Sequence, residues 1–364
     1  MEELIKKNEK SSQTISRRDF ITKSSAAAAA FMIVPRYVLG GPGYTAPSDK
    51  INIAAIGVGG KGRSDIAAVA TENIVALCDV DDVKMFDTIK RAGEWAEEKG
   101  LSENPLTKVP RYKDFREMLD KQKDIDAVTV STPDHFHAVA AITAIKQGKH
   151  AFVQKPLTYS VDEAQKLSAA AKKAGVVTQM GNQGHAGEGI RLIGEWLKDG
   201  AIGEVREVHC WTNRPIWETG MNRPAEIPSV PPTLDWNQWI GPAPFRPYHP
   251  DYAPWSWRAW CDFGTGALGD MGAHIFDIPY HTLKMDHPTS VFASSSKFNG
   301  ESWPVASTIY YEFPQRGSLP PVKLTWYDGG IMPSRPEGIE PGRRMGDGDG
   351  GIMFYGDKGM IMCG

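Results

Sequence analysis

The stretch from Ile51 to Asp79 constrains the fold most. It opens with Ile51-Asn52-Ile53-Ala54-Ala55-Ile56, an apolar run that suits a strand buried on both faces of a parallel sheet. Gly57-Val58-Gly59-Gly60-Lys61-Gly62-Arg63 follows, with Gly57, Gly59 and Gly62 at G-x-G-x-x-G spacing. Between a strand and a helix, the first glycine permits the tight turn. The second lets a pyrophosphate reach the backbone, and the third lets helix and strand pack closely. Free N–H groups at the start of the helix then point at the phosphates. A second apolar run, Ile74-Val75-Ala76-Leu77-Cys78, ends at Asp79, 22 residues after Gly57. There a carboxylate can hydrogen-bond both hydroxyls of an NAD ribose. A glycine-rich turn alone is often merely structural. Strand, loop, helix, second strand and terminal acid in this order point instead to a dinucleotide. Asp79 favours NAD, because a carboxylate repels a 2′-phosphate; the nearby Arg63 keeps NADP open.

An alternating β/α pattern continues from there. Residues 81–99 read as a helix, and Phe115, Met118 and Leu119 mark a short one. Residues 126–131 read as a buried strand running into Thr132-Pro133-Asp134-His135-Phe136-His137. A helix is expected over 137–147, a strand over 150–153 ending in Gln154-Lys155-Pro156, a helix over 161–174 and a strand over 176–180. This alternation predicts a doubly wound parallel sheet of Rossmann type. Ligands bind at the carboxyl ends of such strands. The expected cofactor contacts are therefore Gly57, Val58, Gly59, Gly60, Gly62, Arg63, Asp79, Thr132, Pro133, His137, Gln154, Lys155 and Gln183.

The chain has 364 residues, 41% hydrophobic and 23% charged, with formal net charge −3. That is enough for two domains and gives no reason to expect nucleic acid or an anionic membrane as partner. Residues 1–46 read as a leader and linker rather than part of the fold. Lys6, Lys7 and Lys10 precede Ser16-Arg17-Arg18-Asp19-Phe20-Ile21, and a small-residue apolar run, 26–34, is too short to span a bilayer. Paired arginines mark a twin-arginine export signal, used for folded cargo and read by the twin-arginine translocase; a disordered basic arm is the alternative. Export in the folded state would carry a tightly held cofactor into the periplasm. Cys78, Cys210, Cys261 and Cys363 show no zinc spacing and read as core thiols.

Beyond residue 200 the pattern changes. Eight of the eleven tryptophans lie between Trp196 and Trp260, where they either stack on sugar rings or pack a loop-rich region. A helix after residue 264 sets Asp270, His274, Asp277 and His281 at i, i+4, i+7 and i+11, which predicts one titratable face. A metal site would need more convergent ligands than this helix offers, so none is expected. Strand-like stretches at 205–211, 290–295, 306–313 and 322–326 fit an open, largely antiparallel sheet with one wet face. A loop is expected over 329–350, and the chain stops inside an apolar strand after Gly356-Asp357-Lys358-Gly359, as a truncated domain would.

Together the 57–63 loop, Asp79, Thr132-Pro133-Asp134, Gln154-Lys155-Pro156 and Asp270-x-x-x-His274 resemble the glucose–fructose oxidoreductase/inositol dehydrogenase (Gfo/Idh/MocA) family. The resemblance implies an NAD-binding Rossmann domain over 48–182. It also implies a C-terminal α+β domain over 183–364, with a large, mostly antiparallel open sheet used for homo-oligomer contacts. It implies NAD(P)-dependent oxidation of a secondary hydroxyl of a sugar, glycoside or polyol, and maps Lys155, Asp270 and His274 onto the family's catalytic positions. The residues agree: histidine suits a reversible base, and a lysine ammonium stabilises alkoxide character. Gln154 departs from the family's usual glutamate and removes a negative charge beside Lys155. That departure keeps open a redox-neutral route, in which transient oxidation lets a glycoside be cleaved. A secreted, non-catalytic sugar-binding protein is the third reading.

If the leader is a twin-arginine signal, changing Arg17 and Arg18 together to lysine strands the protein in the cytoplasm. Cell fractionation checks this, and normal periplasmic recovery of the double variant would refute the signal.

Overall fold

Strands that are apolar on both faces need a layer of helices above and another below, and the first sheet is built this way. The computed structural model describes residues 45–100 and 103–364. The export signal expected over 1–46, with Arg17 and Arg18, falls up to residue 44 outside the described residues. The chain divides into a leading unit, Met1–Ile51, and a second unit, Asn52–Gly364, which holds everything below.

Its first part runs β1 (Asn52–Ile56), α1 (Lys61–Ala68), β2 (Asn73–Cys78), α2 (Asp82–Glu98), β3 (Arg111–Tyr112), α3 (Phe115–Lys121), β4 (Ala127–Val130), α4 (Asp134–Lys146), β5 (His150–Gln154), α5 (Val161–Ala174) and β6 (Thr178–Gly181). The six strands are parallel, in the order β3-β2-β1-β4-β5-β6. This is the doubly wound Rossmann order. Alternate strand residues face opposite layers. Ala54, Ile56, Ala76 and Cys78 pack against α3, α4 and α5, while Ala55 and Leu77 pack against Ile66 of α1 and Met85 of α2. Helix α4 starts three residues earlier than expected. Pro133 sits at its N-cap, where a missing N–H costs nothing, and Asp134 opens its first turn.

The second part adds α6 (Glu188–Lys198), β7 (Val205–Thr212), α7 (Trp236–Ile240), α8 (Gly266–Ile275), α9 (Asp277–Thr282), β8 (Ser290–Ser295), β9 (Ser307–Phe313), β10 (Val322–Tyr327), β11 (Gly350–Gly356) and β12 (Met360–Cys363). Its sheet runs β12-β11-β7-β10-β9-β8 and is antiparallel except where β10 meets β7. Ile193, Ile275 and Leu283 from the helices close over Val208, Leu324, Trp326 and Phe354 on one face. At the far edge β8 is exposed along its whole length, with Val291 and Phe292 uncovered. Strand β11 extends the sheet beyond the expected loop, because Gly350 and Gly351 pack directly against Trp211 of β7.

The single titratable face expected from residue 270 to 281 does not form. The helix breaks at Phe276, and Pro279 explains the break: without an N–H it cannot bond the carbonyl of Ile275. Most tryptophans are packing residues. Trp217, Trp236, Trp239, Trp257 and Trp260 form one core with Tyr252 and Phe263. His135 of α4 fastens that core to the first sheet, with its ring nitrogens 3.2 Å from the Phe263 carbonyl and 3.0 Å from that of Trp239. No helix among the described residues is long and apolar enough to cross a membrane.

Two glycines give opposite expectations. A Cβ on Gly62 would lie 1.9 Å from the carbonyl oxygen of Gly57, whereas one on Gly189 meets nothing within 4 Å. Gly62→Ala should lower the unfolding free energy by about 3 kcal/mol or more, and Gly189→Ala should raise it by about 0.5 kcal/mol. Urea unfolding followed by circular dichroism measures both. Equal midpoints would mean that α1 is not packed on the β1 turn.

Candidate active site

The carboxyl ends of β1, β2, β4 and β5 open into a crevice of ≈1050 Å³, which is walled on its other side by α8 and the tryptophan-rich segment. Gly57 forms the turn at φ 78°. A side chain there would meet the backbone of Ser131 at 2.7 Å, so only glycine fits between β1 and β4. Gly59 and Gly60 line the crevice, and Gly60 has open space before it. Gly62 does not line it; its task is the close contact with Gly57.

Asp79 lines the crevice, but its carboxylate is turned into the loop. Oδ2 accepts from the Val58 N–H at 2.8 Å and the Gly59 N–H at 3.4 Å, and Oδ1 accepts from Asp81 at 3.0 Å. Burial raises its pKa, and these backbone bonds oppose the rise. The residue expected to hold ribose thus first holds the glycine loop. Val58 is buried, with its N–H given to Asp79. Two further expectations need correction. Arg63 does not line the crevice; it is ion-paired to Asp87 on α2. His137 is not a cofactor contact. It is buried, with its two ring nitrogens 2.7 Å from the Pro156 carbonyl and 2.8 Å from the Thr132 carbonyl, so it braces two loop ends from behind.

Thr132, Pro133, Gln154 and Gln183 line the crevice. The Thr132 hydroxyl is buried without a hydrogen-bond partner among the described residues. An orphaned hydroxyl beside a glycine loop fits a polar ligand that completes it, as a dinucleotide would. Gln154 donates its amide to both oxygens of Asp65 on α1, at 3.1 and 2.9 Å. Asp65 also accepts from Ser131 Oγ at 2.7 Å and pairs with Lys61. The charge missing at position 154 therefore stands one residue layer away, on Asp65, which the sequence reading overlooked.

Lys155, just past β5, reaches across to α8. Its Nζ donates to Asp270 Oδ1 at 2.7 Å and to the Asp270 carbonyl at 2.8 Å, 115 residues away in sequence. Both side chains are largely enclosed, 18% and 13% exposed. Two cations that sequence reasoning missed flank the same carboxylate: Arg258 Nε lies 3.5 Å from Oδ1 and Arg214 Nε 4.0 Å from Oδ2. One turn on, His274 Nδ1 lies 2.7 Å from Asn182 Oδ1, while Asn182 Nδ2 donates to the Ala273 carbonyl at 2.9 Å. That second bond assigns the amide orientation, so Nδ1 carries the hydrogen and donates it to Asn182. The neutral ring therefore keeps a lone pair on Nε2. Burial lowers the His274 pKa, and the charge of Lys155 lowers it further. Asp277 and His281 belong to a separate group: His185 Nδ1 sits 2.9 Å from Asp277 Oδ2, with the His281 ring 5.1 Å from its own.

Residues 51–182 match the model of an oxidoreductase family's NAD-binding Rossmann fold, and residues 203–313 match that family's C-terminal alpha/beta domain. A Glycosyl hydrolase family 109 protein of Solibacter usitatus is 36% identical over 124 residues, which is 33% of this chain and 27% of that protein. Levoglucosan dehydrogenase of Pseudarthrobacter phenanthrenivorans is 26% identical over 166 residues, 45% of this chain and 34% of that protein. The matched stretches thus span well under half the length of these relatives. In fold, the chain is similar to the WlbA dehydrogenase of Bordetella pertussis, solved with NADH and UDP-GlcNAcA. Its TM-score is 0.57 at 17% identity, covering 86% of this chain and 77% of that one.

The His274 environment gives a measurable expectation. Its imidazole should titrate below the ordinary value of 6.5, and Lys155→Met should move the midpoint up, because a repelling charge is removed while Asp270 stays. Histidine NMR titration reads this. An unmoved midpoint would mean that lysine and ring do not share one site.

Proposed function

This chain belongs to the Gfo/Idh/MocA oxidoreductase family, and from that premise we propose that it is an NAD-dependent oxidoreductase acting on a secondary hydroxyl of a sugar, glycoside or polyol. The observation that carries the reading is the convergence of a neutral histidine, with its lone pair free, and a lysine ammonium on one crevice wall. His274 Nε2 takes the proton of the substrate hydroxyl, and Asn182 keeps the ring in the tautomer that can do so. Lys155 stabilises the negative charge that grows on that oxygen. Asp270 accepts from the ammonium at 2.7 Å and fixes where it points. When bound, NAD supplies the acceptor for the hydride. The 57–60 loop, Thr132 and Gln183 are the residues that would hold it. Asp79 in the crevice and the pairing of Arg63 with Asp87 support NAD over NADP.

The similarity to a family 109 glycosyl hydrolase favours a second reading on the same residues. Here the substrate carbon is oxidised only transiently: the neighbouring C–H becomes acidic, the glycosidic group leaves by elimination, water adds in its place and the hydride returns to the carbon, so no net NADH forms. The presence of Lys155, Asp270 and His274 in one crevice weighs against a sugar-binding protein without catalysis. Residues 1–46 support export by the twin-arginine pathway to the periplasm, with NAD already bound. The uncovered Val291, Phe292 and Tyr310 on β8 and β9 support a homo-oligomer.

Lys155→Ala and His274→Ala should each lower turnover by about 10²-fold or more. NAD affinity should survive, because the glycine loop and Asp79 are untouched. The double variant should be little worse than the poorer single one, as groups acting together are non-additive. Steady-state NADH absorbance and product chromatography, with calorimetry for NAD, measure all three. Near-normal turnover of His274→Ala would make His274 structural and send the search for a base to His185.

A further inference from the structure

Asp270 is shared by three cations. Lys155 takes it at 2.7 Å, Arg258 faces it at 3.5 Å and Arg214 at 4.0 Å. Arg214 has a second acid, Asp349, at 3.1 Å. The nearby Asp134 is buried and committed to the Thr265 N–H at 3.1 Å and hydroxyl at 2.6 Å. On this wall Lys155, Arg214 and Arg258 all crowd Asp270, and Lys155 holds it at the shortest distance.

Of the three, Arg258 is the cation least used by these acids. Its polar contacts, Asp270 at 3.5 Å and the Trp255 carbonyl at 3.5 Å, both lie at the outer limit of hydrogen bonding. Yet the group is held firmly. Its Cζ sits 4.1 Å from the ring centroid of Trp257 and 4.9 Å from that of Trp255. Guanidinium stacking on indole orients the fork without using its N–H groups. Arg258 is 23% exposed and lines the crevice together with Lys155, Asp270 and His274. A planar fork in this state suits two parallel bonds to a carboxylate. With the Asp270 carboxylate 3.5 Å away, a ligand carboxylate at −1 is repelled less here than a phosphate monoester at about −1.5 to −2. Trp255, 57% exposed beside it, offers an aromatic face to a sugar ring.

We propose that the substrate is a sugar acid of the uronate type, its carboxylate bound by Arg258 and its ring laid against Trp255. This rests on the reading that the crevice takes a sugar beside NAD. The test uses the NAD-loaded protein and matched pairs: methyl glucuronide and methyl glucoside, methyl galacturonide and methyl galactoside, with glucose 6-phosphate as a third anion. Binding is followed by tryptophan fluorescence and calorimetry. At least one uronate should bind about 10- to 100-fold more tightly than its neutral partner, as charge-assisted bonds predict. Arg258→Gln should bring that ratio near one with NAD affinity within about threefold. Should Arg258→Gln not fold, salt decides with the unaltered protein. Uronate affinity should fall as sodium chloride rises, while neutral sugars hold. No uronate preferred over its neutral partner, or glucose 6-phosphate preferred over every uronate, would overturn the assignment. Uronate preference in a protein that binds no NAD would sink the oxidoreductase reading and leave this site standing.

Discussion

The contact between Lys155 and Asp270 is the one on which the site depends. It ties the end of a strand in the first sheet to a helix that covers the second. Neither side chain sees much water, so each makes the other tolerable there. Removing one partner of such a pair costs about 3–5 kcal/mol when the survivor stays dry. The lysine also takes the Asp270 backbone carbonyl, so the ammonium fixes a helix as well as a side chain. The positions of strand end and helix in the crevice are thereby tied by one interaction, and His274 stands one turn along the same helix.

The glycine loop shows how a motif residue serves two ends. A carboxylate after β2 suits a ribose, and here it also holds two loop amides. Those amides would otherwise be unpaired donors in a tight turn. The loop therefore owes its shape to Asp79, and a ribose that claimed this carboxylate would compete with loop order. Asp134 does similar work on the other side of the crevice, where its carboxylate caps the start of the tryptophan-linked helix through Thr265.

What could be read in the chain beforehand was what local physics fixes. Glycine spacing, the double-faced apolar strands and the Asp270–His274 interval each follow from backbone geometry within a few residues. Pro279 was equally local, and its break in the helix was readable but went unread; it separates Asp277 and His281 from the site. The pairing of Asn182 with His274, and the places of Arg214 and Arg258, were out of reach. Asn182 meets His274 across 92 residues, and the two arginines matter only because the fold brings them to one carboxylate. Arg63 and His137 misled for the same reason. Their sequence positions suit a phosphate loop and a strand end, but Asp87 and two distant carbonyls claim them.

Gln154 and Asp65 behave as one unit. The amide of Gln154 is committed to Asp65, and a carboxylate in its place would set two negative charges at hydrogen-bond distance within a dry layer. One of them would have to carry a proton. A glutamate at 154 would therefore sit beside Asp65 only as a pair of carboxyls sharing one proton, whereas the glutamine amide satisfies the buried acid without one.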